Sequence, residues 1–217
     1  MNFFGHAAVA RLVDDDPAFL IGAMAPDLLK MCGAAAGAAT SPKVAAGEAH
    51  HLEVDAWFHG NPAFTQLSAW AARALGEAGL PHGPARGAAH VGVELVLDGI
   101  LAADGPARAA YARSLAEAGS ARVPFVFDDA PSGARWQALV ARLRGGTIPE
   151  AYRDLDFVAA RIAGALSRRP RLAIGDRDIP TLRAFLPALA NRVAAEARAL
   201  TGPLLAGAFA ETTILAV

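Results

Sequence analysis

The sequence predicts an all-α, compact multi-helix bundle. Three observations carry that expectation: alanine dominates, β-branched alternation is scarce, and apolar residues recur at spacings of three and four. Hydrophobic residues make up 54% of the 217 and charged residues 19%, which excludes a disordered chain and requires several helices buried on more than one face. One core suffices at this length. Residues 1–217 are therefore read as a single domain, with the chemistry in 1–103 and the helices of 105–217 completing the core.

Helices are predicted near residues 2–13, 17–32, 42–59, 62–78, 84–103, 105–118, 132–144, 149–166 and 178–200, with a further one over 203–215. The first runs through the apolar MNFFGHAAVA, and the second stops at GAAAGAATSP, whose Gly and Pro residues end helices. The third and fourth start at Ser41-Pro42 and Asn61-Pro62, each an N-cap followed by proline at the first helical position, where its missing N–H costs nothing. EAGLPHGP ends the fourth, and RRPRLAIGDRD separates the helix closing near Leu166 from the one opening near 178. The stretch ARVPFVFDDAPSG reads as a short extended piece at most, and one strand makes no sheet.

Lys and Arg number 20 against 21 Asp and Glu, a formal charge of -1, so no overall field draws the protein to nucleic acid or to an anionic membrane. The single cysteine, Cys32, can form no internal disulfide and lacks zinc-thiolate spacing, which fits a reducing compartment and makes cytoplasm the default location. The N-terminus has no basic start and soon reaches three aspartates, a poor signal peptide. No apolar run approaches the roughly 18–20 residues that span a bilayer. The apolar stretch from Leu204 to Val217 is suited to covering a partner or a neighbouring subunit, which leaves a homo-oligomer open.

All six histidines lie at or before His90. In AGEAHHLEVDAWFHG, His51, Asp55 and His59 are four residues apart and share one helix face; ARGAAHVGVELVLDGIL repeats the arrangement with His90, Glu94 and Asp98. The second set is embedded among Val91, Val93, Leu95, Val96 and Leu97, where a carboxylate costs several kcal/mol unless it is paired or bound to a cation. Imidazole with carboxylate oxygens suits manganese, iron or zinc rather than calcium, and two such metals would activate water for phosphate-ester hydrolysis. Against this, a lone histidine on an amphipathic helix more often packs than ligates, and carboxylates at i, i+4 usually face solvent. His50 points about 100° away from His51 and reads as a supporting or surface residue. His82 in LPHGP reads as a loop residue, and His6 sits in an apolar start that is odd for an unpaired imidazole. For Asp27, after Pro26, spacing leaves ligand and plain helical charge equally open.

The opening MNFFGHAAVA, then VAAGEAHHLEVDAW, VELVLDGILA and above all YRDLDFVAARIAGALSRRPRL resemble the acyl carrier protein phosphodiesterases, a divergent branch of the HD phosphohydrolases. The resemblance spans most of the chain and implies an HD-domain-like helical fold and a divalent cation. Manganese is the commonest in that family; iron, zinc and magnesium are alternatives. It also implies hydrolysis of the phosphodiester joining 4′-phosphopantetheine to the serine of holo-acyl carrier protein. Position by position, it makes His6, Asp27, His51, Asp55, Glu94 and Asp98 metal ligands, with His59 or His90 moving protons. Where the family has histidine, this chain has Ala49 and Gly99; His59 stands for an aspartate, and Glu94 for a shorter carboxylate. The segment Ala25-Pro26-Asp27 also resembles bacterial zinc-dependent phospholipase C-like proteins, so a hydrolase of another phosphoester is a second expectation. A non-catalytic helical scaffold is a third.

Carrier proteins are acidic, so an enzyme acting on one needs a basic landing area, which Arg168, Arg169 and Arg171 would supply. The plainer reading is that these arginines neutralise the end of the helix closing near Leu166, with Arg153 paired to Asp154 or Asp156.

Overall fold

The computed structural model describes residues 1–119 and 124–202, and the helix expected over 203–215 lies outside them, as does the apolar stretch from 204 to 217. In chain order the elements are α1 (Phe3–Ala10), α2 (Pro17–Cys32), β1 (Ala36–Ala39), α3 (Pro42–Gly60), α4 (Pro62–Glu77), α5 (His82–Leu101), α6 (Gly105–Ala118), β2 (Phe125–Phe127), α7 (Ala130–Arg144), α8 (Leu155–Leu166) and α9 (Ile179–Thr201). The all-α expectation holds: nine helices and one two-stranded sheet make up the described secondary structure, apart from two short 3-10 turns. Among the described residues no helix is long and apolar enough to cross a membrane.

The chain groups into two compact units, Met1–Trp57 with Asp104–Pro149, and Phe58–Ala103 with Glu150–Val217, the division falling inside α3. In the first unit α2 packs against α1, α6 and α7. Every residue of α1 is buried, and Phe3 and Phe4 both meet the Tyr111 ring of α6, at centroid distances of 6.2 and 5.5 Å. Each such phenyl group contributes roughly 1.5–3 kcal/mol by leaving water. Asp16 caps α2 by accepting from Ala18 N at 2.8 Å, and Gly33, at φ 64°, ends it in the left-handed region that glycine enters without a Cβ clash.

Two glycines set the approach of α3 to α2. A Cβ on Gly22 would lie 2.2 Å from the Val44 carbonyl oxygen, and one on Gly47 would lie 2.1 Å from that of Phe19. The backbones touch there, and no other residue type fits without moving a helix. The Ser41 hydroxyl accepts from Val44 N at 3.2 Å and starts α3 where the Ser-Pro pair predicts it.

The sheet is a departure from the sequence reading. AGAA, read as a helix-ending loop, forms β1 and pairs antiparallel with FVF, Ala36 opposite Phe127 and Ala39 opposite Phe125. Alanine and glycine carry no strand signal. The long-range pairing is fixed instead by Phe125 and Phe127 packing on the buried Trp136 of α7, at 5.8 and 6.2 Å, and by the Ser132 hydroxyl accepting from Ala35 N at 3.0 Å.

In the second unit α5 is central, packed by α4, α8 and α9, which explains why its apolar residues run almost all round the helix. Asn61 opens α4 as expected, accepting from Ala63 N at 2.8 Å, and its amide also donates to the Ala199 carbonyl of α9 at 2.7 Å. The helix expected over 149–166 is broken. Residues Glu150–Arg153 form a 3-10 turn, after which Asp154 accepts from Asp156 N at 2.8 Å and caps α8. An aspartate that can bond the backbone two residues ahead favours a fresh helix start over continuation. His82, expected in a loop, is the first residue of α5, and it is exposed.

Candidate metal centre

In the first unit, His6 of α1, Asp27 of α2 and His51 of α3 each offer a ligand atom, and these atoms all lie within 4.8 Å of one another. The sequence separations, 21 and 24 residues, hide this convergence; the α2–α3 contact through Gly22 and Gly47 creates it. Pro26 lies one residue before Asp27 inside α2, where its ring denies the helix one hydrogen bond, yet the helix continues to Cys32.

His6 is 1% exposed, and both its ring nitrogens are buried without a hydrogen-bond partner among the described residues. Asp55 Oδ1 lies 3.6 Å from His6 Nε2, a loose charge contact slightly longer than a hydrogen bond. Asp55 Oδ1 is also 3.3 Å from the Met1 amino group. Burial pushes the His6 imidazole down to about 4, with the neighbouring His51 adding to the shift and Asp55 opposing it. The ring is therefore neutral at pH 7.

His51 is oriented by the backbone. Its Nδ1 lies 2.8 Å from the Ala23 carbonyl oxygen, which can only accept, so Nδ1 carries the proton and Nε2 is left with its lone pair. Burial lowers the His51 pKa, though the Ala23 bond and Asp55 partly oppose this, and its ring stacks on that of His6 at 3.9 Å between centroids and 29° between planes. Two stacked, neutral, buried imidazoles beside a carboxylate are ready to bind a cation, because ligation needs deprotonated donors. A divalent metal fits these residues. It would satisfy one of the two orphaned nitrogens of His6, the one that carries the lone pair, whose burial otherwise costs roughly 1–3 kcal/mol.

Glu94 of α5 groups with the two histidines expected to move protons, His59 at the end of α3 and His90 one turn before Glu94, all in the second unit. Burial alone would raise the Glu94 carboxyl, but hydrogen bonds from His59 and His90 outweigh it and hold the group well below the usual carboxylate range. Asp98 is fully buried in α5. Arg168, Arg169 and Arg171 are exposed beyond the end of α8. Asp156, considered as a partner for Arg153, instead pairs with Arg183 at 3.1 Å, and Asp154 is occupied as the α8 cap.

Two positions at which the sequence resemblance implies histidine, Gly99 and Ala49, lie in different surroundings. A Cβ at Gly99 would lie 2.4 Å from the Tyr152 carbonyl oxygen, so the 3-10 turn occupies the space a histidine there would need. Ala49 is on the exposed side of α3. His50 is half-buried, 5.4 Å from the Phe19 ring, and burial lowers its pKa. Sequence reasoning missed the Ala23 carbonyl that sets the His51 tautomer; a backbone acceptor leaves no residue-type signal. Compared with protein-family models, curated proteins and solved structures, the chain has no significant match.

Proposed function

We propose that this chain is a metal-dependent phosphodiesterase whose divalent ion, manganese in the first instance, is held by His6, Asp27 and His51 with Asp55 beside them. The observation that carries the reading is His6: a buried, neutral imidazole with two unsatisfied nitrogens, stacked on a second imidazole whose tautomer is fixed for ligation. When bound, the ion supplies Lewis acidity toward a phosphoryl oxygen and lowers the pKa of water. The chain's own contribution is positional. The Ala23 carbonyl holds the His51 ring, the α1 burial holds His6, and the partly exposed Asp55 carboxylate stands 3.6 Å from His6 Nε2, where it can take up a proton from the reacting side.

The substrate proposed is holo-acyl carrier protein, cut at its 4′-phosphopantetheine phosphodiester. This part rests on the sequence resemblance, and the exposed Arg168, Arg169 and Arg171 are suited to an acidic partner. Incubating the full chain and Mn2+ with holo-acyl carrier protein should convert the carrier to its apo mass. An unchanged mass across manganese, iron, zinc and magnesium would overturn the substrate, while turnover of generic phosphodiesters under the same conditions would keep the hydrolase and replace its substrate.

A further inference from the structure

We propose that His59, His90 and Glu94 form a separate divalent-metal site of the zinc class, with one coordination position left open. Three donor atoms define it: His59 Nε2 lies 3.3 Å from His90 Nε2 and 3.1 Å from Glu94 Oε1, and His90 Nε2 lies 3.3 Å from the same Glu94 Oε1. They form a nearly equilateral triangle. Donors bound to a tetrahedral zinc at about 2.0–2.1 Å stand about 3.3–3.4 Å from each other, so the observed edges are close to those of one face of that tetrahedron. An ion seated slightly off this plane reaches all three atoms with little movement. The remaining vertex takes water or a ligand, as in zinc sites built from two histidines and a glutamate.

A pair such as His90 and Glu94 at i, i+4 is by itself an ordinary helix-surface contact. What makes this a built site is the third donor, brought from another helix, and the aromatic packing that fixes the rings. Phe64, buried near the start of α4, meets both imidazoles edge-on, His59 at 5.0 Å and 83° and His90 at 5.1 Å and 88°. Phe58, fully buried, meets His59 at 5.5 Å and 86°. The two imidazoles lie within 11° of parallel with centroids 5.0 Å apart, and both Nε2 atoms approach the same Glu94 oxygen, at 3.1 and 3.3 Å. Side-chain exposures of 31% for His59, 47% for His90 and 14% for Glu94 leave an ion a way in. The two histidines read from sequence as proton carriers are thereby assigned as ligands. The proposal does not depend on the phosphodiesterase reading.

The test is Zn2+ and Co2+ titration of the full, metal-stripped chain, with variants His90→Ala and Glu94→Gln on this site and His51→Ala on the other. His90 is exposed enough for its alanine variant to fold, and circular dichroism checks this. Co2+ should develop the intense visible bands of a low-coordinate nitrogen and oxygen site. Both His90→Ala and Glu94→Gln should weaken that equivalent at least about tenfold, the least that losing even an outer-sphere partner costs a metal site, while His51→Ala retains it. Absence of such an equivalent in the wild-type chain, or unchanged stoichiometry, affinity and spectrum in both variants, would overturn the proposal. Loss confined to His51→Ala would overturn it too and leave the first centre standing.

Discussion

The imidazoles of His6 and His51 stack at 3.9 Å between centroids and 29° between planes, close enough for a charge on one to be opposed by a charge on the other. A second proton on either ring would be repelled by a charge on the other, and the burial of His6 in α1 opposes it further, while the nearby Asp55 carboxylate favours it. The pair is a structural argument for neutrality before any metal is considered.

The burial of His6, with His51 adding to it, makes the metal-free protein acid-sensitive in a defined window. The His6 pKa is about 4 folded against 6.5 for the free side chain, so the unfolded chain binds the extra proton first as pH falls. Stability from this group is whole above 6.5 and is lost progressively as pH drops toward 4, by up to roughly 3 kcal/mol. Asp55 and the Met1 amino group face the same ring and modulate the midpoint. Urea unfolding of chelator-treated protein between pH 7 and 4 should show the loss, and His6→Phe should flatten it. A pH-independent unfolding midpoint over that range would contradict the assignment.

Gly47→Ala should destabilise the first unit and weaken metal together. The added methyl meets the Phe19 carbonyl at 2.1 Å, backbone that cannot rotate away, so α3 must shift. Overpacking of this kind costs about 1–3 kcal/mol. Because the shift carries His51 away from Ala23 and Asp27, Mn2+ affinity should fall with stability, measured by denaturant titration and calorimetry on the same sample. Unaltered affinity in a destabilised protein would separate the crossing from the site.

How much of this was legible beforehand differs between elements and geometry. The starts of α3 and α4 could be read because Ser41-Pro42 and Asn61-Pro62 are local chemistry, a side-chain oxygen and a pre-set φ. Asp154 could have been read as a cap by the same logic, but the apolar periodicity on either side concealed it. His51 and Asp55 share a helix face, as their spacing requires. That spacing could not reveal which helix face meets which partner: the convergence of His6 and Asp27 on His51 depends on a backbone contact at Gly22 and Gly47, and β1 depends on aromatic residues about 90 positions away in sequence.

Gly99→His, which introduces the residue that the sequence resemblance implies there, should damage the protein rather than improve it. Its Cβ alone would stand 2.4 Å from the Tyr152 carbonyl, and the imidazole would have to displace the Glu150–Arg153 turn. Thermal unfolding should report a loss of at least about 2 kcal/mol, with no gain in bound metal by elemental analysis. A stable variant binding an additional ion would show that the turn yields.

Asn61→Ala removes two interactions at once, the α4 cap and the amide donation to Ala199 of α9. The expected cost is about 1–2 kcal/mol, against roughly half that for Asn61→Ser, which keeps a capping oxygen. Equal losses for both variants would place the energy in the bond to α9 and not in the cap.

The most direct measurement is an anomalous difference map, collected at the manganese edge from crystals of the full chain grown with Mn2+. A peak within bonding distance of His6, Asp27 and His51 is the predicted result. Crystals saturated with manganese that show no density between those three side chains, with His6 still enclosed and unligated, would contradict the account.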